Sequence, residues 1–174
     1  MLKRFPWPWR RRRQRIELPA QLPVNWVLAG RLAVGPLPSD PLHWQQLEKL
    51  GLRARFSCCY EPELQRDPPP PEHWYQCGVP LPDHRRQEDL DPERLREALS
   101  VAIEAMERYG PLYVHCYAGR ERSSLVAIGV VARIQNLDIF SALDWVRRNH
   151  PAASPLFDQL EVLETILAKP AASA

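Results

Sequence analysis

Apolar and polar positions along the chain switch repeatedly between a period of two and a period near 3.6, which predicts short strands alternating with helices. Residues 26–28 and 31–35 form two brief apolar runs about the turn at Ala29 and Gly30. Ser39 or Asp40 then caps a helix whose first turn holds Pro41, with Trp44, Leu47 and Leu50 on one side and Gly51 ending it. A strand over 53–58 carries Arg53 and Arg55, so one of its ends or faces must be wet, and another short strand follows at 75–80. Asp91 caps a helix with Pro92 at its first position, Glu93 in its first turn, and Leu95, Leu99, Ala102, Ile103 and Met106 at helical spacing. Gly110 and Pro111 stop it, and a strand over 112–115 comes next. The helix predicted over 123–134 is apolar nearly all round, which marks it as central and buried. Ile139, Ala142, Leu143 and Val146 line a further helix. Ser154 caps the last, with Pro155 at its first position and Leu156, Leu160, Leu163 and Leu167 along one side.

This alternation predicts an α/β fold: a mostly parallel central sheet of four or five strands with helices on both faces. Ligands in such sheets bind outside the carboxyl ends of the strands. The segment 60–74 breaks the alternation. Pro68 to Pro71 are consecutive, which precludes both helix and sheet ladder there, so the segment reads as a stiff extended loop, either a plain connector or a wall of a substrate cleft.

At 174 residues and 45% hydrophobic, the chain suits one domain over 21–169 with a short tail at 170–174. The net charge of +2 conceals an uneven distribution. Of 23 basic residues, seven lie within 1–15 with no acid among them, which leaves 16 against 21 acids in the remainder, a net of −5. Residues 1–20 form a basic arm in which prolines alternate with Trp7 and Trp9 before a run of arginines. Its prolines and lack of an apolar core fit neither a secretory signal nor a membrane span, and no run elsewhere reaches the ~18 apolar residues a span needs. A flexible arm is expected, or an interfacial anchor whose tryptophans enter the headgroups of an anionic membrane surface while its arginines meet the lipid charge. Nucleic acid is a poor partner, since the body offers no matching basic face. Cys58, Cys59, Cys77 and Cys116 show no repeated metal spacing, so neither metal nor cofactor is expected.

The chemistry concentrates in residues 112–124. A β-favouring run ends at Cys116 in a loop containing Gly119, and a long helix pattern starts at Arg122. Such a strand-to-helix turn exposes backbone N–H groups and a helix N-terminus, which attract a dianion and favour a thiolate over a thiol. Arg122 adds a planar fork matched to two phosphate oxygens.

His115, Cys116, Gly119, Arg122 and Ser123 together resemble the signature of the cysteine-dependent protein phosphatases: His-Cys, five residues, Arg-Ser. The segments 26–35 and 142–151, with Ser154, Pro155, Gln159 and Leu160, are similar to the compact dual-specificity branch, and the longer tyrosine-specific domains have an extra recognition loop for which this chain lacks room. The resemblance implies Cys116 as nucleophile and Arg122 as the phosphoryl-binding group, with the loop Tyr117, Ala118, Gly119, Arg120 and Glu121 around the substrate. It implies Ser123 as the hydroxyl assisting the cysteine as leaving group and His115 as structural support from below. Glu121 departs from the small residues common at its position. Of three candidate carboxylic acids, Asp91 is better used as a cap and Asp89 lies in the approach to that helix. Asp83, after an apolar strand and a Leu-Pro pair, stands where the family presents its general acid. Cys59 matches the position at which lipid-phosphatase relatives keep a resolving cysteine.

The implied activity is phosphomonoester hydrolysis through a phosphocysteine, on phosphoserine, phosphothreonine and phosphotyrosine in a shallow pocket. The alternative is an inositol phospholipid met by a basic mouth of Arg85, Arg86 and Arg120. A different class, a non-catalytic phosphate-binding module or thiol redox sensor, is weakened because both the cysteine and the arginine are present. A monomer in a reducing, cytoplasmic compartment is expected.

Overall fold

A computed structural model describes residues 20–65, 68–86 and 88–168. The expectations for the basic arm and the C-terminal tail lie outside the described residues.

Five strands form one sheet: β1 (Asn25–Leu28), β2 (Leu32–Pro36), β3 (Ala54–Ser57), β4 (Tyr75–Gly78) and β5 (Leu112–Cys116), in the order β1-β2-β5-β3-β4. β1 pairs antiparallel with β2 around the Gly30 turn, and every other pairing is parallel. The central strand β5 is buried at all five positions, as expected for a parallel strand covered on both faces. Its side chains alternate. Leu112, Val114 and Cys116 join the large core, whereas Tyr113 joins a second cluster on the other face.

The helices divide between these faces. α1 (Pro41–Lys49) starts where Asp40, not Ser39, accepts the Leu42 N–H at 2.8 Å, and it buries Trp44 and Leu47 against Ala33, Tyr113 and Trp74. On the opposite face lie α3 (Pro92–Tyr109), α4 (Arg122–Gln135), α5 (Ile139–Asn149) and α6 (Phe157–Ala168). Asp91 caps α3 through the Glu93 N–H at 3.0 Å. α4 buries every residue from Arg122 to Ala132, each large apolar side chain contributing roughly 1.5–3 kcal/mol relative to exposure. That burial explains its apolar circumference. No single helix among the described residues is long and apolar enough to cross a membrane.

Two expectations need correction. The segment after β3 is not extended throughout: a one-turn helix, α2 (Glu61–Leu64), opens it. The prolines after it serve as a connector, not as a cleft wall. The Pro68 carbonyl accepts the Trp44 indole N–H at 3.0 Å, which fastens the run to α1. Nor does Ser154 cap the last helix. α6 begins at Phe157, the Leu160 N–H reaches the Leu156 carbonyl, and Gln159 Oε1 accepts the Leu156 N–H at 3.2 Å. Gln159 thus turns back on a residue with no polar side chain, half of a capping box. Glu63 does the same at α2, accepting the Tyr60 N–H at 2.8 Å.

Candidate active site

Between Cys116, the last residue of β5, and Arg122, the first of α4, the chain bends through Tyr117 to Glu121. Gly119 takes φ +68°, and a Cβ there would lie 2.3 Å from the Gly35 carbonyl carbon and 2.4 Å from Pro36 N, so any larger residue must displace backbone. Three of the loop carbonyls are held from outside. Tyr117 O accepts the Leu37 N–H at 3.3 Å and Arg120 O the Ser154 N–H at 2.7 Å. Gly119 O lies 2.7 Å from Nε2 of buried His150, whose Nδ1 faces the Asn25 amide at 2.9 Å, so Nε2 is the donor. Across a planar trans peptide the N–H points opposite the carbonyl, so the amides of Ala118, Arg120 and Glu121 are turned away from those outside partners. Among the described residues the N–H groups of 117–121 meet no acceptor in the protein. An anion at the loop centre would therefore meet amides and the α4 N-terminus together.

Cys116 lies on this loop with Sγ 3.2 Å from Ser123 Oγ, in reach of the assisting hydroxyl expected at that position. His115 points to the opposite side of β5. Burial, aided by the nearby Arg55 and Arg122 cations, pushes its pKa down to about 3, so it is a neutral support and not a proton carrier at ordinary pH. The fully buried Tyr113 braces β2 below the loop, its hydroxyl donating to Pro36 O at 2.6 Å.

Arg122 is 2% exposed, and its fork is not wholly free for phosphate. Nη1 donates to Glu63 Oε2 at 2.8 Å and Nη2 to Oε1 at 2.7 Å, while Nη1 also lies 3.3 Å from the carbonyls of Cys58 and Leu81. Nε takes part in none of these contacts, so the edge formed by Nε and Nη2 is the one left for an anion. Burial opposes the guanidinium charge, but Glu63 outweighs it and raises the Arg122 pKa further. Burial likewise works against the Glu63 carboxylate, and the Arg122 and Tyr60 hydrogen bonds override it and lower its pKa. The sequence reading missed Glu63. Its signal was an acid three residues after Tyr60 with Pro62 between, a helix start without a polar cap.

The opposing wall is formed by Asp83, His84 and Arg85, from the segment between β4 and α3. Asp83 is 8% exposed and lies with Oδ2 3.5 Å from Arg122 Nη2. Arg85 clasps it through Nε at 2.9 Å, Nη2 at 2.6 Å and its own N–H at 3.1 Å. Burial alone would raise the Asp83 pKa, but Arg85 and the Arg122 charge hold it below its ordinary value. Asp89 and Asp91 do not line the cleft: Asp89 lines an adjoining cavity that shares Asp83 and His84 with it, and Asp91 remains the α3 cap. Glu121 lines the cleft, but its carboxylate is already engaged. Its carboxylate accepts the His84 N–H at 3.0 Å, meets His84 Nδ1 at 2.7 Å, and accepts Gln159 Nε2 at 2.9 Å. Farther along the segment, Arg94 binds Glu88 at 2.9 Å and Tyr60 at 3.1 Å. Arg86 stacks over the Tyr60 ring at 3.6 Å, so it leaves the basic mouth in which it was expected.

These walls enclose a cleft of about 530 Å³ lined by Cys116, Tyr117, Ala118, Arg120, Arg122, Asp83 and Arg85, among others. Tyr117 is exposed at its edge, with the Arg85 guanidinium 5.5 Å from its ring. Cys59 is buried on the loop after β3 and forms no disulfide. Burial and the Glu63 charge push its thiol up to about 12, which slows it as a resolving thiol near neutral pH. Among the described residues, no three His, Cys, Asp or Glu side chains are placed to hold a metal ion.

This architecture is the fold of the cysteine-dependent phosphatases, in the compact form of their dual-specificity branch. A point variant of human DUSP28 superposes with a TM-score of 0.68 at 24% identity over 84% of this chain and 97% of its own. PTPMT1 in complex with PI(5)P gives 0.67 at 19% identity over 79% and 90%, and Tk-PTP in its active form 0.67 at 22% over 84% and 97%. No family model matches the sequence.

Proposed function

We propose that this protein hydrolyses phosphomonoesters through a phosphocysteine intermediate. The observation that carries this reading is one cleft that brings together Cys116, the 117–121 loop with its unpartnered amides, Arg122 and Asp83. The Cys116 thiolate attacks phosphorus while the departing ester oxygen takes a proton from Asp83. Negative charge developing on the phosphoryl oxygens meets the loop amides and the free edge of Arg122. Asp83, now a carboxylate, accepts a proton from the water that attacks the phosphocysteine, and Ser123 donates to the departing sulfur.

The resting Asp83 is held ionised, which is the wrong state for an acid. A bound dianion corrects this, because it draws Arg122 and Arg85 toward itself and adds a negative field, and both effects raise the Asp83 pKa.

The substrate class we favour is a phosphoprotein, on serine, threonine and tyrosine, in keeping with the compact fold. A second reading, an inositol phospholipid, is favoured by Arg85 and Arg120 beside Arg122 in the cleft and by the PI(5)P complex of PTPMT1, a protein of the same fold. The test is a panel of phosphopeptides and phosphoinositides at equal concentration, together with a small aryl phosphate. Turnover abolished by Cys116→Ser and lowered by Asp83→Asn supports the enzyme. Faster hydrolysis of lipid than of peptide reverses the substrate order, and phosphate binding without turnover leaves a non-catalytic module.

A further inference from the structure

We propose that Glu121 is a positioning residue that sets the general acid, acting through His84 as a latch between the two walls of the cleft. This inference rests on Asp83 being the acid. Glu121 immediately precedes Arg122, and His84 immediately follows Asp83. One carboxylate therefore joins the covalent neighbour of the phosphate-binding guanidinium to the covalent neighbour of the proton donor. Both of its oxygens are used, Oε1 by the His84 N–H and Gln159 Nε2, Oε2 by His84 Nδ1.

The latch explains how an acidic residue is tolerated in a loop built to hold a dianion. Glu121 lines the cleft with a side chain only 12% exposed, and its charge is met by three donors. Gln159 strengthens the joint, since its Nε2 also lies 3.4 Å from Pro82 O on the acid side. Glu88 is held independently by Arg94 and Tyr60, so the latch governs the end of the segment that carries Asp83. Freed from Glu121, that end keeps Leu81 O near Arg122 Nη1 at 3.3 Å and Asp83 near Arg122 Nη2 at 3.5 Å, but loses both hydrogen bonds made by His84, the residue next to the acid.

A positioning role has a signature that a fold defect lacks, because in the step that forms the phosphocysteine the acid matters most when the leaving group is poor. The experiment measures kcat/KM, which reports formation of the phosphocysteine, for a series of aryl phosphates of rising phenol pKa, ending in a phosphoserine peptide, for the full chain and its Glu121→Ala, Glu121→Gln, His84→Ala and Asp83→Asn variants. Glu121→Ala is expected to lose roughly 10- to 100-fold on the poorest leaving groups and under about 3-fold on the best. His84→Ala, an exposed side chain whose removal threatens no core, shows the same trend more weakly, since its backbone N–H still reaches Glu121. Glu121→Gln restores most of the rate because it keeps an acceptor for that N–H. In the Asp83→Asn background, Glu121→Ala costs nothing further. A loss uniform across the series with weakened inorganic phosphate binding, or no loss in Glu121→Ala and His84→Ala alike, overturns the latch. If Asp83→Asn itself shows no dependence on the leaving group, the acid assignment fails first and takes the latch with it.

Discussion

Residues 117–120 and the segment around Asp83 face each other across one cleft, yet the first are held by their carbonyls and the second largely by charged side chains. Three carbonyls of the nucleophile loop are fastened by Leu37, Ser154 and His150, and Gly119 lets the chain pass against Gly35. None of these contacts depends on a carboxylate. The acid segment is joined instead by the pairs Arg85–Asp83, His84–Glu121 and Arg94–Glu88. In the proposed reaction the loop presents its amides to every substrate, and a frame without carboxylates suits that role. In the same reaction Asp83 changes protonation twice per cycle, and neighbours that respond to charge suit it. Glu63 belongs to both walls, because it holds Arg122 and lies 3.7 Å from Arg85.

The contrast can be broken in four ways. Cys116→Ser should lower turnover by roughly 10⁴-fold or more while leaving inorganic phosphate binding intact. Loss of binding as well would mean that the loop frame needs the sulfur, contrary to a backbone-held site. Glu63→Gln leaves the nearly buried Arg122 without its carboxylate and should destabilise the fold by about 3 kcal/mol, measured by denaturant unfolding. A change near zero would show that water replaces the pair.

That substitution also sharpens the acid limit. Glu63 and Asp83 both have lowered pKa values, so the stability they contribute is complete above about pH 4 and is lost as the pH falls through the folded values. The wild-type protein should therefore lose stability steeply below about pH 4, and Glu63→Gln less steeply. An unchanged slope would remove Glu63 from the account.

Gly119→Ala comes next, with both a left-handed φ and a backbone clash to relieve, at about 1–3 kcal/mol in unfolding experiments and a fall in kcat. Normal stability with lost activity would mean that the loop yields without the sheet. The smallest effect is expected for Arg85→Gln. Removing a cation raises the Asp83 pKa, so the alkaline limb of kcat/KM for poor leaving groups should move to higher pH. A shift to lower pH would show that Arg85 serves the substrate more than the acid.

The parts that were legible and those that were not follow from how each is encoded. Asp91, Pro92 and Glu93 announce α3 because a cap, its proline and its first-turn acid are neighbours in the chain. α2 and the start of α6 went unseen because their caps, Tyr60 and Leu156, have no short polar side chain, and the returning groups Glu63 and Gln159 resemble ordinary surface residues. Ser154 followed by Pro155 was a persuasive signal for a helix start, but the Ser154 N–H serves Arg120 instead. Tertiary demand outweighed local preference there. Arg86 beside Arg85 looked like part of one basic mouth, and only the position of Tyr60 sent it away.

The sequence by itself determined the alternating α/β architecture, the strand–loop–helix turn from Cys116 to Arg122, and Asp83 as the leading candidate acid, because periodicity, caps and a signature are written in contiguous residues. The tertiary structure alone decided that Glu63 orients Arg122 across 59 positions, that His150 holds Gly119 across 31, and that Gln159 meets Glu121 across 38. Such contacts have no local trace, since the energy that selects them arises only when distant polar groups are buried together and must satisfy one another.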